Sequence, residues 1–414
     1  MYVTSRTALL FAFPLLTATL LAAPEPTKLA PNNGTEKSPD KAAAESDAFF
    51  NSGKIPHIEI TLGLTPGFIK PNGPLLAEPR KYIKASLTVD GKVYPDVGIH
   101  LRGGAGSFKQ INDKAGFTIS MGKFGGKEKF HGMSKWHLAN SAQDGSYLSE
   151  LICGELLRGA GAPAARFHHA VVSVNGQVRG FYCLKEGYDS QFLRRHFKNA
   201  DGNFYDGGFL RDVDQQLQLT SSKEDVKDWA DLKALTAAAR EPDPQKRFER
   251  LEKLLDMDAF INVFVVLTII GDWDGYIYNR NNYRVYHDPK RDKITIIPSG
   301  LDQEFRRGGG SYNPPIGPSR TNPYGGPSAP QGLVAQGVIA TPEGKALYVK
   351  RLAEINRTLM DPEKWNKRLD ELQARLQPEI AKVDPGAGGN YPNEIKRIRD
   401  FFNACSKDIE AQLK

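Results

Sequence analysis

The chain has 414 residues, 40% of them hydrophobic and 25% charged, which is enough apolar material for one or two packed domains. Gly 40 and Pro 27 occur without a collagen period, pointing to many loops and excluding a long helical array. The formal charge of +7 permits attraction to polyphosphates, an anionic polymer or a membrane surface, while the lack of zinc-finger spacing or a dense arginine helix argues against specific nucleic-acid binding.

Residues 1–23 carry one basic residue, Arg6, an apolar run from Ala8 to Ala23 and a small-residue exit at Ala22 and Ala23. This is the layout of a secretory signal peptide. The run is too short for a bilayer crossing and contains Pro14, so the expectation is a secreted or periplasmic, cell-envelope protein with no transmembrane segment in the mature chain. Residues 24–50 are rich in Pro, Ala, Lys, Glu and Ser and read as a flexible linker.

Residues 51–208 read as a β-rich N-terminal lobe. HIEITL alternates from His57, YIKASLTV runs into an Asp90-Gly91 hairpin turn, and VGIHLRG returns. GFTISMGKF and KWHLAN follow with strand-like alternation. YLSELICGELLRGAG has apolar residues at helical spacing, closed by Gly159 and Gly161. FHHAVVSVNGQVRGFYCLKE is a hairpin around Asn175-Gly176. The pattern predicts a twisted antiparallel sheet with one main helix.

Residues 209–414 read as a helical C-terminal lobe. Helical patterns cover Asp225 to Ala239 and Gln245 to Leu255, and MDAFINVFVVLTII is apolar on nearly all sides, as a core helix is. Two short strands joined at Asp288-Pro289 come next. Arg306 to Gly337, dense in Gly, Pro, Ser and Asn, reads as a long loop or lid. Helices are predicted at Pro342 to Met360, Pro362 to Leu376 and Asn393 to Leu413. Cys153, Cys183 and Cys405 are too scattered for a disulfide-stapled miniprotein or a cysteine metal cluster; one bridge, or three small buried hydrophobes, are the open alternatives.

Chemistry on phosphate needs carboxylates around a divalent cation and a cation over the phosphates. Asp274 lies just past the apolar helix and Asp302 ends the apolar run ITIIPSGLD, at the mouths of rigid elements where a site is preorganised. Asn282 adds an amide oxygen near Asp274. Asp272 reads as a helix terminator, and Asn279 and Asn281 as turn residues. Gly103, Gly104 and Gly106 form either a backbone phosphate cradle or a plain turn. The histidines, His100, His131, His137, His168 and His169, do not fall at strong ligand spacings.

GDWDGYIYNRNNYRVYHDPKRDKITIIPSGLDQEF resembles the hallmark of the CotH (spore-coat protein H) kinase family. VGIHLRGGAGSF, FHGMSKWHLANSAQDGSYL, VVSVNGQVRGFYCLKEGYDSQFLRRHF and DGNFYDGG resemble further motifs of that family, in order. The resemblance implies an α+β, atypical protein-kinase-like two-lobed fold that transfers the γ-phosphoryl group of ATP to protein Ser or Thr with Mg2+ or Mn2+. By the same resemblance Asp274 is the catalytic or metal-proximal carboxylate, Asn282 and Asp302 are metal ligands, and Arg102 and Lys114 contact phosphate. Glu186 is implied to pair with that lysine or arginine. Three positions depart from the family pattern: Gly300 replaces an aspartate, Asp206 replaces a lysine, and Asp144-Gly145-Ser146 with Ser149-Glu150 replaces an Asp-Ser and an Arg-Asn pair. Two alternatives accompany the kinase reading: a non-catalytic envelope or surface-assembly protein on the same scaffold, and a polysaccharide-associated binder using Trp273 and the nearby tyrosines.

Overall fold

The computed structural model describes residues 41–63, 80–223, 226, 228–305 and 329–414, all within one compact unit from Lys41 to Lys414. The expectations for the leader, for linker residues 24–40 and for loop residues 306–328 lie outside the described residues. The fold is mixed α+β, as the sequence implies.

Seven strands, β1 (His57–Leu62), β2 (Ile83–Val89), β3 (Lys92–Arg102), β4 (Gly116–Ser120), β5 (Lys135–Ala139), β6 (Phe167–Val174) and β7 (Gln177–Glu186), form a closed barrel in the order β1-β2-β3-β4-β5-β7-β6. The sequence pattern predicts a twisted antiparallel sheet; a parallel pairing of His57–Ile60 with Val171–Val174 closes it into a barrel and abolishes the exposed edges. Ile99, Leu101, Phe117, Ile119, Trp136, Leu138, Tyr182 and Leu184 fill the barrel. By the two-residue period of a strand, His100, Arg102, Thr118, His137 and Lys185 face outward.

Helix α1 (Lys41–Asn51) corrects the linker reading for residues 41–50. Its Phe49 is buried in the barrel core, edge-on to Phe130 at 5.3 Å and stacked on His131 at 4.5 Å. The apolar anchor repays ordering that the Ala-rich composition alone would not. Helix α2 (Ser149–Gly159) follows β5 and belongs by packing to the helical core, not to the barrel interior. Helix α3 (Ser190–Phe197), missed in the sequence, is capped by the Asp189 side chain, which accepts from Gln191 and Phe192 N–H.

A second sheet has the order β11-β10-β8-β9, with β8 (Asn203–Asp206), β9 (Gln218–Ser221), β10 (Tyr283–Asp288) and β11 (Lys293–Pro298). Around it lie α4 (Ala230–Ala239), α5 (Pro244–Leu254), α6 (Met257–Ile270), α7 (Tyr276–Asn279), α8 (Leu333–Ile339), α9 (Pro342–Leu359), α10 (Pro362–Val383) and α11 (Pro385–Leu413). Helix α4 starts later than the pattern from Asp225 predicted. Leu333–Ile339 is helical where a loop to Gly337 was expected. The two last helices are longer than predicted, because α10 runs through Pro378 and α11 through Pro392. An internal proline costs about 3 kcal/mol, but the stripes Leu369, Leu372, Leu376, Ile380 and Tyr391, Ile395, Ile398, Phe402 stay buried together only if both helices continue. Asp361-Pro362 and Asp384-Pro385 start these helices, each Asp capping free N–H groups ahead of a proline at the first turn. All three cysteines are buried and free.

Candidate active site

Helix α6 is buried almost throughout. Gly271, at φ 91°, ends it in the left-handed region that glycine tolerates, and the N–H of Asp272 closes onto the Leu267 carbonyl at 3.0 Å. The cap turns the chain at the point where the acidic residues begin, with Asp272 still buried.

Asp274 is half-buried within a cage of amides. Its Oδ1 accepts Nδ2–H from Asn279 at 2.7 Å and from Asn281 at 3.2 Å, and its Oδ2 accepts Nδ2–H from Asn282 at 3.0 Å. The expected meeting of Asp274 with Asn282 therefore occurs. Asn279 and Asn281, read as turn residues, also belong to the carboxylate's surroundings. Arg280 and Asn282 both adopt positive φ, 53° and 51°, the kind of local strain found where a bend is held by its contacts.

Asn282 also links this bend to the segment after β11. Its carbonyl accepts the Ser299 N–H at 2.8 Å, and its side chain lies against Gly300. Gly300 has φ 66°, and a Cβ there would stand 2.7 Å from Asn282 Cγ and Oδ1. A side chain at 300 would therefore meet both a left-handed backbone and Asn282.

Two residues on, the half-buried Asp302 faces a different environment. Its carboxyl is pushed up to about 7, first by burial and then by Glu150, against the opposing pull of Lys185 and Arg102. Lys185 on β7 and Glu150 on α2 form a buried ion pair at 2.5 Å. Burial works to lower the lysine's pKa, but Glu150 prevails and raises it. The sequence alone does not single out Lys185, and Glu150 enters there only as part of a departure from the family pattern. Asp144 prepares the helix that carries Glu150: its carboxylate accepts Ser146 N–H at 3.0 Å in the turn before the helix and Ser149 N–H at 2.9 Å, the first N–H of α2. The apparent departure at Asp144-Gly145-Ser146 and Ser149-Glu150 is thus a cap followed by an ion-pair partner.

Three sequence assignments change. Glu186 does not meet Lys114 or Arg102; it accepts from Arg166 at 2.7 Å and from Arg195, on the side of β7 opposite to Lys185. Lys114 donates to Tyr147 Oη at 2.8 Å and lies over the Tyr147 and Tyr182 rings; burial lowers it to about 8, partly offset by Asp384. None of the acidic residues of the site is among its partners. Asp206 is not a bare repelling charge, because Arg284 pairs with it at 2.9 Å. Arg102 does stand at the site, acting electrostatically on Asp302.

The Gly103 to Gly106 segment is a self-bonded turn, with Phe108 N–H on the Gly104 carbonyl at 2.9 Å and Gly104 N–H on Ser107 Oγ at 3.0 Å. Tyr276, Tyr278, Tyr283 and Tyr286 are buried, which removes them as a stacking platform for a sugar. Among the described residues no group of three His, Cys, Asp or Glu side chains is arranged to hold a metal ion, and no helix is long and apolar enough to cross a membrane.

A search of curated proteins returns no match. The family model described as CotH kinase protein matches residues 99–407, from β3 into α11, and so takes in the amide cage, Asp302 and the Lys185–Glu150 pair. The chain belongs to the CotH kinase family.

Proposed function

We propose that this protein is an exported kinase that transfers the γ-phosphoryl group of ATP to Ser or Thr of a protein substrate, on a two-lobed arrangement with the barrel over the helical half. The observation that carries the reading is the buried Lys185–Glu150 pair beside Asp302. In protein kinases a Lys–Glu pair fixes the lysine on the phosphates, and an aspartate holds the metal. Lys185 orients the phosphates here, and Glu150 keeps its ammonium charged in a buried place. Asp274, with its rotamer held by Asn279, Asn281 and Asn282, orients the acceptor hydroxyl and receives its proton.

The donor set suits Mg2+ or Mn2+. Such ions take one or two protein ligands and complete their shell with water and phosphate. Asn282 turns its amide N–H toward Asp274, which leaves its Oδ1 directed elsewhere, and Asp302 carries a carboxyl whose charge a divalent cation would compensate. These two residues would hold the ion, which would neutralise charge on the transferring phosphoryl group. The leader at residues 1–23 supports export to the envelope or medium, where a surface protein is the acceptor class.

Incubation with γ-labelled ATP and Mg2+ or Mn2+ is expected to label the protein itself or an envelope protein, and Asp302→Ala is expected to lower labelling by at least about 100-fold. Equal labelling by the two folded proteins would refute the assignment. The glycine at 300 supports a second reading, nucleotide binding without transfer on an assembly scaffold. Calorimetric ATP binding with no labelling of any acceptor would favour it.

A further inference from the structure

The outer face of the barrel at β4, β5 and β7 carries, beside Lys185, side chains that the proposed chemistry leaves unused. Thr118, His137 and Lys185 are successive cross-strand neighbours on β4, β5 and β7, with Lys135 on the same face of β5. Arg102 crosses to them over β4: a Cβ on Gly116 would lie 2.9 Å from Arg102 Cγ, so glycine there opens the path. Its Nη1 is buried with no hydrogen-bond partner, a costly state that a bound acceptor relieves. From the second sheet, Arg284 stands over the Tyr188 ring at 4.8 Å. Of the carboxylates around these groups, Glu150 is engaged with Lys185 and Asp206 with Arg284, while Asp302 lies within electrostatic reach of Lys185 and Arg102.

His137 sits among these groups, with Nδ1 3.0 Å from Thr118 Oγ1. Burial, then the charges of Arg102, Lys135, Lys185 and Arg284, hold the imidazole well below its ordinary value. His100, outward on β3, is also held down, to about 4, chiefly by burial, and its Nδ1 lies 2.8 Å from the Leu101 carbonyl.

We infer that His137 is the proton-linked element of a polyphosphate site on this face: an anion laid among Arg102, Lys135 and Arg284 allows the imidazole to take up a proton and become a further cation against it. The nucleotide reading enters only in making ATP the natural anion. Four cations add to burial in opposing protonation of the free site, and a multiply charged anion offsets the cationic share of that opposition. By linkage, binding takes up a proton, and affinity rises as pH falls through the window between the free and bound pKa values of His137, by at most about tenfold per pH unit.

The test uses metal-free conditions, with ATP and inorganic tripolyphosphate each titrated in EDTA at pH 6 and pH 8. Calorimetry in two buffers of different ionisation heat counts protons, and the assigned His137 ring signal is followed by NMR. Proton uptake at pH 6 that disappears at pH 8 is expected, with a His137 shift toward the imidazolium position. His137→Gln, which keeps a donor but cannot titrate in this range, is expected to lose the His137 share of the uptake and to keep its affinity at pH 8 within about twofold. The ligand's own protonation is common to both proteins. Unchanged uptake in His137→Gln, or a His137 signal indifferent to saturating anion, overturns the inference; if the variant does not fold, the wild-type signal alone decides. Tripolyphosphate linkage without ATP binding would overturn the nucleotide reading and leave the inference standing, ATP binding without His137 titration would do the reverse, and binding of neither anion would overturn both.

Discussion

Lys185 and Glu186 are consecutive residues of β7, yet they serve opposite faces of the strand. Lys185 faces the helical core and pairs with Glu150, with side-chain exposures of 3% and 7%; Glu186 turns to Arg166 and Arg195, exposed by 14% and 23%. A strand changes face at every residue, so neighbours in sequence become strangers in space. The lesson is that a motif containing a Lys-Glu dipeptide does not say which of the two charges reaches a ligand.

The strongest way to break this contrast is Lys185→Ala. It leaves Glu150 charged and buried without its partner, and a loss of about 3–5 kcal/mol in urea unfolding is expected. Lys185→Met combined with Glu150→Leu is expected to restore stability to within about 1 kcal/mol of wild type, while ATP binding stays lost. Recovered ATP binding in that double variant would remove Lys185 from the site.

Glu186→Gln is expected to cost less, about 2 kcal/mol from weakened charged hydrogen bonds. Because Arg166 also binds Asp47 of α1, the loss is expected to show first as faster proteolysis near residue 47. ATP affinity is expected to stay unchanged, and a drop of tenfold or more would mean that the two faces communicate.

Gly300→Asp asks whether the family's aspartate can simply be put back. With φ at 66° and Asn282 in the way, a loss of about 1–2 kcal/mol is expected from the left-handed backbone alone. Phosphoryl transfer is expected not to rise, since the new side chain displaces Asn282 from Asp274. Enhanced labelling by this variant would place the first aspartate's role back in the mechanism.

What could be read from the sequence follows the range of the interactions. The hairpins at Asp90-Gly91 and Asn175-Gly176, helix α6 and the β10–β11 pair are local patterns, and they stand as expected. Asp274 and Asn282 are eight residues apart, so a single bend suffices to join them. Barrel closure was hidden because β1 pairs with β6, distant in the chain. The outward face of β7 was hidden for a different reason: Phe181 and Cys183 are buried against the helical core while Tyr182 and Leu184 fill the barrel, so alternation carries no polarity signal until Lys185. Asp206 looked repulsive only because Arg284, on another strand, was not in view.

The smallest expected effect comes from an ion pair that is neither deeply buried nor fully exposed. His287 on β10 lies between Asp231 at 3.3 Å and Asp292 at 3.0 Å, with its own side chain 23% exposed. Its pKa is raised, first by hydrogen bonding to Asp231, against burial, and with help from Asp292. A histidine raised on folding binds its proton more tightly in the native state. Its contribution is therefore complete below the unfolded value of about 6.5 and fades as pH climbs through the higher folded value. Lys185, raised above an ordinary lysine, does not titrate in that window, so the two ion pairs separate by pH. The urea midpoint of wild type relative to His287→Gln is expected to favour wild type at pH 6 by under about 1 kcal/mol, and the difference is expected to shrink by pH 9. A difference that grows with pH would mean that His287 is held neutral, with Asp231 bound chiefly by Tyr205 and Asn203, which already donate to it at 2.9 Å.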